Sequence, residues 1–389
     1  MEVSAWGHLE AFTPLFLKQE LGIPDPDIAR WTGLLAAASL VVAAPTAPFW
    51  GVLADRYNRK LFILRALLLA AVGYAIAALC TDIWQLLGVR FLFGLTFAGN
   101  AIIVGMIALL APERRLGVAI GLIQMVMPLG RSIGPLLGGW LIAQFGLRGM
   151  FAADALLTFS AFLLLLFLLK EPPRRRDASQ SVMGRLGTVL GLVWQVRPIR
   201  LLFILNFAGA FVNSIINPFV PVLIGQVYQG PDLVLVIGLT LAGYGGVAAI
   251  AAPVAGRLGD RLGADRILVF SMAGLALKAF GLMVATTPLQ IAIVLLLGAA
   301  PFGAHNTAVY SLLARVTPRQ HMAGVMGLTP LARNSAMLLA PLSGAAVAGL
   351  GLWAVFGVAA VAATVAVGVS LLLLRAVAVA ESVEAGRST

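Results

Sequence analysis

The sequence predicts an all-α polytopic membrane protein built as two six-helix bundles, and three observations carry that prediction. Of 389 residues, 60% are hydrophobic and 11% charged, with a mean hydropathy of +0.98; soluble domains hold about 45–50% and about 25%. Twelve apolar runs, near the roughly 20 residues that cross a bilayer, lie at 3–19, 31–54, 61–79, 85–109, 116–143, 149–169, 199–224, 232–255, 266–285, 289–313, 321–349 and 353–375. The chain also repeats itself: Pro14 pairs with Pro221, Asp55 with Asp260, Pro112 with Pro318, Gly121 with Gly327 and Pro135 with Pro341, at offsets of 205 to 207. Such a repeat relates two six-helix halves about an axis along the membrane normal. The expected organisation is a bundle at 1–170, a cytoplasmic linker at 171–198, and a second bundle at 199–389 that ends in a short cytoplasmic tail.

The first run begins almost at Met1, whereas the seventh begins near Ile199, which maps back to about position −8. The first helix is therefore expected to lack a cytoplasmic turn or two, through a downstream start or a truncation. No charged n-region or small-residue cleavage site precedes it, so a cleaved signal peptide is not expected. Trp6, Glu10, Thr13 and Pro14 share one face at helical spacing. A carboxylate facing a low-dielectric cavity suits reversible protonation, which makes Glu10 the leading proton carrier; the bland alternative is a solvated helix end. His8 lies off that face and reads as incidental.

The second and third runs are joined by Gly51-Val52-Leu53-Ala54-Asp55-Arg56-Tyr57-Asn58-Arg59-Lys60. Gly51 permits close packing, Asp55 can cap a helix end or pair with a base, and Arg56, Arg59 and Lys60 hold the turn inside. Asn58 tolerates φ > 0 better than most residues, which suits a tight turn. The fourth run carries Arg90 in Arg-x-x-x-Gly. An arginine at membrane depth costs about 2.5–3.5 kcal/mol on insertion scales and normally faces a partner or water; the alternative is snorkelling to the outer surface. In the fifth run Gly130, Gly134 and Gly138, with Gly139 beside them, form a bare stripe for a neighbouring helix. Pro135 bends the helix there, and Arg131 adds a charge. Asp154 in the sixth run reads as structural, paired with a neighbouring arginine.

The linker holds Glu171-Pro172-Pro173-Arg174-Arg175-Arg176 and a short amphipathic stretch at 182–196. In the seventh run Asn206, Asn213 and Asn217 stand at i, i+7 and i+11, within about 40° of one another on a helix. A polar stripe on a membrane helix faces protein or a water-filled path, so these residues either line a substrate cavity or bond to other helices. Pro218 and Pro221 are expected to bend the outer half. The eighth and ninth runs are joined by Gly256-Arg257-Leu258-Gly259-Asp260-Arg261-Leu262-Gly263, a copy of the first-half loop. Lys278 in the ninth run is read as snorkelling or pairing structurally. The tenth run carries His305 and Asn306. The eleventh carries Arg333 and a decayed glycine stripe at Ala336, Ala340-Pro341 and Gly344.

A net charge of +11 might suggest a nucleic-acid partner, but its placement argues otherwise. With the 51–60 turn inside the cell, cytoplasmic segments hold 20 of the 27 Lys and Arg, external ones hold Lys18, Arg30 and Arg148, and Arg90, Arg131, Lys278 and Arg333 lie within the membrane. This is the positive-inside distribution; it predicts cytoplasmic termini and excludes a nucleic-acid role. One cysteine, Cys80, allows no internal disulfide. No phosphate-binding G-x-x-x-x-G-K-[S/T] loop, H-E-x-x-H or paired Cys/His set is present, so neither an ATP engine nor a metal or other cofactor is expected.

The 51–60 and 256–263 loops, the fourth-helix Arg90 motif and the G-x-x-x-G-P-x-x-G-G stripe at 130–139 resemble those of the major facilitator superfamily. Together with the twelve-run repeat, the likeness covers essentially the whole chain. Its closest pattern is the twelve-helix drug:proton antiporter branch of multidrug efflux. That resemblance implies the major facilitator fold, no enzymatic activity, and alternating access that exchanges protons for drugs or other small amphiphilic molecules. It implies Glu10 and Arg90 in proton coupling. Gly51, Asp55, Arg56, Arg59, Lys60, Gly256, Asp260 and Arg261 then form gating loops that latch the outward-open state. The cavity between helices one, four, seven and ten would involve Trp6, Asn206, Asn213, Asn217, His305 and Asn306, with Arg131 and Arg333 contributing charge. Four membrane bases against two acids suggest tolerance of anionic or zwitterionic drugs. The expected partners are the substrate, protons and the lipid of the inner membrane, with the chain acting as a monomer. The alternatives are a permease importing a metabolite by symport or uniport, which generally lacks the fifth-helix stripe, and a non-transporting receptor or enzyme, for which no catalytic constellation is present.

Overall fold

A computed structural model of the chain describes residues 2–56, 59–96, 116–169, 191, 193–317 and 321–387, and there is no strand among them. The helices are α1 (Glu2–Gln19), α2 (Asp25–Arg56), α3 (Arg59–Leu79), α4 (Ile83–Gly94), α5 (Leu116–Leu168), α6 (Arg197–Ile216), α7 (Val220–Val227), α8 (Leu233–Leu262), α9 (Ala264–Val284), α10 (Pro288–Val316), α11 (Met322–Val347) and α12 (Leu352–Arg387). Among the described residues, eight segments are long and apolar enough to cross a membrane. The chain is thus an all-α, multi-pass membrane protein. The other expected runs differ for local reasons. α1 holds Glu2, His8, Glu10 and Lys18 in its 18 residues, and α4 contributes a shorter apolar helix of 12 described residues. α11 carries Arg333, Asn334 and Ser335 mid-helix.

The fifth and sixth runs form one element, α5, broken at Gly146 (φ 72°, ψ 177°). That left-handed backbone is open to glycine at little cost, so the chain turns there without a loop. The seventh run is interrupted as expected: α6 ends at Ile216, Asn217–Phe219 form a 3₁₀ turn, and α7 restarts with Pro221 in its first turn. Proline cannot donate to the preceding turn but suits a helix start. Asn58, Pro112 and Pro318, and residues 171–190 of the 171–198 linker with the start of its amphipathic stretch, lie outside the described residues.

The protein forms two compact units, one of residues 1–175 and 217–246 and one of residues 176–216 and 247–389. In the first, α5 packs along α1 and α3, while α2 packs on α4. In the second, α9 packs between α10 and α12, and α6 lies against α11 and α12. Helix approach is set by bare glycines in both. Gly94 of α4 meets the backbone of Ser39 and the side chain of Val42 in α2, and Gly303 of α10 meets the backbone of Ala248 in α8. A Cβ at either would overlap main chain.

Candidate functional site

The first polar centre is built between α1 and α4. Asp82 caps α4 by accepting from the Trp84 amide, which starts the helix so that Arg90 falls two turns in, facing α1. Arg90 is 2% exposed; it donates from Nη2 to Thr13 Oγ1 at 2.5 Å and reaches the Leu9 carbonyl at 3.5 Å. The Thr13 hydroxyl itself donates back to the Leu9 carbonyl. Arg90 therefore does not snorkel; α1 supplies its acceptors. Glu10 is the carboxylate whose charge reaches it. Glu10 is half-buried and accepts from Trp6 Nε1 at 2.9 Å, and Trp6 meets Phe93 of α4 edge to face at 6.0 Å. The shared face of Trp6, Glu10 and Thr13 is thus the face that α4 covers.

The opposite side of α1 holds a second centre. His8 Nδ1 lies 2.8 Å and 3.0 Å from the two carboxylate oxygens of Asp154 in α5, with the two residues 2% and 1% exposed. The acid's partner is a histidine rather than the expected arginine, and His8 is not incidental. Gly138 explains how the ring fits: a Cβ there would lie 2.7 Å from His8 Cδ2 and 2.8 Å from Phe12 Cε2. The stripe is buried at Gly134, Pro135, Gly138 and Gly139 and half-buried at Gly130. Ile133, Leu136, Leu137 and Trp140 between them are exposed, as lipid-facing residues are. Its other neighbour is α8: the Pro135 carbonyl would stand 2.8 Å from a Cβ at Gly238, and Gly139 meets Val234 at 3.6 Å. The Arg131 side chain lies outside the described residues.

In the second unit, the asparagine stripe of α6 is taken up largely by other helices. Asn206 donates to the Thr329 carbonyl of α11 at 3.0 Å, and Asn213 accepts from Lys278 Nζ of α9 at 3.3 Å. Asn217 is half-buried in the 3₁₀ turn. Lys278 is 2% exposed, and its stem fills the space left by Gly298 of α10, so it pairs rather than snorkels. His305 of α10 is fully buried against Gly209 of α6, and neither ring nitrogen has a hydrogen-bond partner among the described residues. Arg333 of α11, half-buried, is the charge that reaches it. Asn306 is half-buried and bonds within its own helix, to Phe302 at 3.4 Å. Arg90 and Lys278 are therefore held inside helix packing, which leaves fewer bases to supply cavity charge.

At the helix ends, Lys60 donates to the Leu166 carbonyl near the end of α5 at 2.7 Å. Gly51, Asp55 and Arg56 complete α2, with their side chains outside the described residues; Arg59 opens α3. In the second copy, Gly256 meets Thr307 of α10 at 3.5 Å, and Asp260 stands 3.6 Å from Arg315 in an exposed pair. Arg261 lies in the last turn of α8, and Gly263 after it has φ 93°. Among the described residues, no three His, Cys, Asp or Glu gather to hold a metal ion.

The Major Facilitator Superfamily model matches residues 3–238 and again 202–388. The chain is 32% identical over 369 residues to the multidrug resistance protein MdtG of Yersinia enterocolitica, covering 92% of this chain and 86% of that protein. It is 28% identical over 350 residues to the multi-drug resistance efflux pump PmrA homolog of Lactococcus lactis, covering 89% and 85%. Its fold is like that of a variant of the nucleoside transporter NupG (TM-score 0.79, 15% identity, 96% of each chain). It is also like that of a bacterial homolog to the human lysosomal transporter Spinster (TM-score 0.78, 15% identity, 96% of this chain and 94% of that one). Sequence likeness over nine-tenths of the chain, a repeated family match and the shared helical fold agree: the chain belongs to the Major Facilitator Superfamily.

Proposed function

We propose that this protein exports drugs or other small amphiphilic molecules in exchange for protons. The observation that carries the reading is its likeness, across 92% of its length, to a protein named for multidrug resistance. In this reading the bundles at 1–170 and 199–389 alternate access around a central cavity, joined by the 171–198 linker. Glu10 takes up and releases the proton, and Arg90, bound to the same helix through Thr13, senses the carboxylate's charge. The loops at Gly51–Lys60 and Gly256–Gly263 serve as cytoplasmic latches, and the stripe of Gly130, Gly134, Pro135, Gly138 and Gly139 is the bare seam on which α1 and α8 seat. Trp6, Asn217, Asn306 and Arg333 are the half-buried described residues of the expected cavity set, and we assign them to substrate contact. The Lys and Arg distribution supports a cytoplasmic membrane location with both termini inside.

The driving force is adequate, because each proton entering down 100 mV yields about 2.3 kcal/mol, before any pH gradient is added. The test is dye accumulation in everted vesicles energised by respiration. Accumulation that collapses with a protonophore and is lost in Glu10→Gln supports exchange with protons. Movement that ignores the protonophore rejects antiport and leaves facilitated permeation, and no movement at all rejects export.

A further inference from the structure

We propose that His8 and Asp154 form a second proton-binding site, closed off by the seam between α1 and the glycine stripe of α5. The pair joins residues 146 positions apart, with both side chains nearly inaccessible and Nδ1 within 2.8 Å and 3.0 Å of both carboxylate oxygens. In the proposed site Nδ1 carries a hydrogen and donates it to the carboxylate, which leaves Nε2 as a lone-pair acceptor. Nε2 is buried and has no hydrogen-bond partner among the described residues. In this empty form the pair carries a net charge of −1 inside the protein, a costly arrangement. One proton added at Nε2 gives an imidazolium facing a carboxylate, with net charge zero. The step is a single reversible protonation, with water as the source and sink, and the two groups titrate as one unit.

The surrounding charges are occupied elsewhere. On α1, Glu10 lies on the opposite face with Trp6, and Lys18 pairs with Asp25 of α2 at 2.9 Å. On α5, Arg148 holds Glu20 at 2.6 Å. From α3, Lys60 and Arg65 donate to the carbonyls of Leu166 and Leu95, and from α4, Arg90 donates to Thr13. Asp27 and Arg30 of α2 are exposed, and α7 carries no charged residue.

The ring edge next to Nε2 is the one that rests on Gly138, since Cδ2 would lie 2.7 Å from a Cβ there. Separating α1 from α5 at that glycine opens Nε2 to water, and closing the seam traps whatever proton is bound. The site deepens the proton-exchange reading by tying a second proton to a helix contact rather than to the cavity carboxylate Glu10.

The chain has three histidines, which makes the test direct. The full-length protein, labelled with ¹⁵N-histidine and held in lipid, is followed by solid-state NMR across about pH 4 to 8, the interval between ordinary carboxyl and imidazole values. The signal missing from His8→Gln identifies His8. The expected result is a neutral Nδ1–H form that gains a proton at Nε2 on acidification, with a midpoint that moves in Asp154→Asn. A His8 signal that keeps one protonation state throughout, or a neutral form protonated at Nε2, overturns the proposal from the wild-type spectrum alone, even if Asp154→Asn does not fold. Gly138→Ala presses a methyl group on the ring and moves the same signal; an unmoved signal overturns the link to the seam. The titration needs no substrate, so it separates from the efflux reading. Titration of His8 without dye accumulation sinks export, and accumulation without titration sinks the pair.

Discussion

Arg90 of α4 and Thr13 of α1 are joined by a 2.5 Å hydrogen bond between helices, with both residues almost inaccessible. The guanidinium also reaches the Leu9 carbonyl, which already accepts from Thr13. A charge inside a membrane protein that finds its acceptors on one neighbouring helix ties the position of that helix to its own. Glu10 is carried by the same helix, where it accepts from Trp6.

Thr13 and Arg90 should therefore separate by substitution. Thr13→Ser keeps the acceptor and should behave as wild type. Thr13→Val removes the acceptor beside a buried cation and should cost about 1–3 kcal/mol in thermal unfolding. Arg90→Ala should lower protonophore-sensitive accumulation about tenfold or more, equivalent to ~1.4 kcal/mol. Arg90→Lys should not restore it, because a lysine ends in a compact, strongly hydrated ammonium that is harder to bury than a guanidinium. Full transport by Arg90→Ala would remove Arg90 from coupling.

Two adjacent glycines of the α5 stripe should differ sharply. A methyl at Gly138 would press on His8, which Asp154 holds in place, and on Phe12. Gly138→Ala should cost about 1–3 kcal/mol as overpacking. At Gly139 the nearest atoms stand at 3.6 Å, an ordinary contact, and Gly139→Ala should stay within about 0.5 kcal/mol of wild type. Equal unfolding midpoints for the two variants would mean that α1 does not seat on Gly138.

Much of this was legible in the residues. Hydropathy marks the spans, and the four-residue glycine spacing marks a close helix approach before any neighbour is known. The prolines at 218 and 221 predict the break that the 3₁₀ turn makes. What stayed hidden is pairing across distance. His8 and Asp154 lie 146 residues apart, and no local periodicity connects them; the sequence reading pairs Asp154 with an arginine instead. The one available signal was two complementary polar groups, each alone in an apolar stretch. Asn206 and Asn213 show the same limit: their spacing reveals a shared face, but only packing tells whether that face meets water or the Thr329 carbonyl and Lys278.

Cys80 reports on the α3–α4 end of the first unit. It is 1% exposed, and burial pushes its thiol up, with Asp82 adding to the rise and Arg148 opposing it. A raised thiol holds less thiolate at neutral pH, by about tenfold per unit. Maleimide labelling of the folded protein should be slow at about pH 7, quicken as pH passes the ordinary thiol value of about 8.5, and become fast on unfolding. Equal rates folded and unfolded would show that this end is open.

Lys278 and Gly298 should behave as one unit. The Lys278 Cβ stands 2.7 Å from where a Gly298 Cβ would lie, and the rest of the stem runs along the same space. Gly298→Ala alone should destabilise by about 1–3 kcal/mol, because the overlap lies along the buried stem and not at a free tip. Lys278→Ala alone should also destabilise, by leaving a cavity and taking the donor from Asn213. Together the new methyl occupies part of the emptied space, so the double variant should fall short of the sum by about 0.5–3 kcal/mol in a thermal-unfolding cycle. Strict additivity would place the two residues apart. Lys278→Met then separates packing from charge, since it keeps an apolar stem and drops the ammonium. Stability within about 1.5 kcal/mol with transport intact would make Lys278 a packing and bonding residue of the α6–α9–α10 contact. Stability retained with transport lost would show that the buried positive charge is needed for turnover.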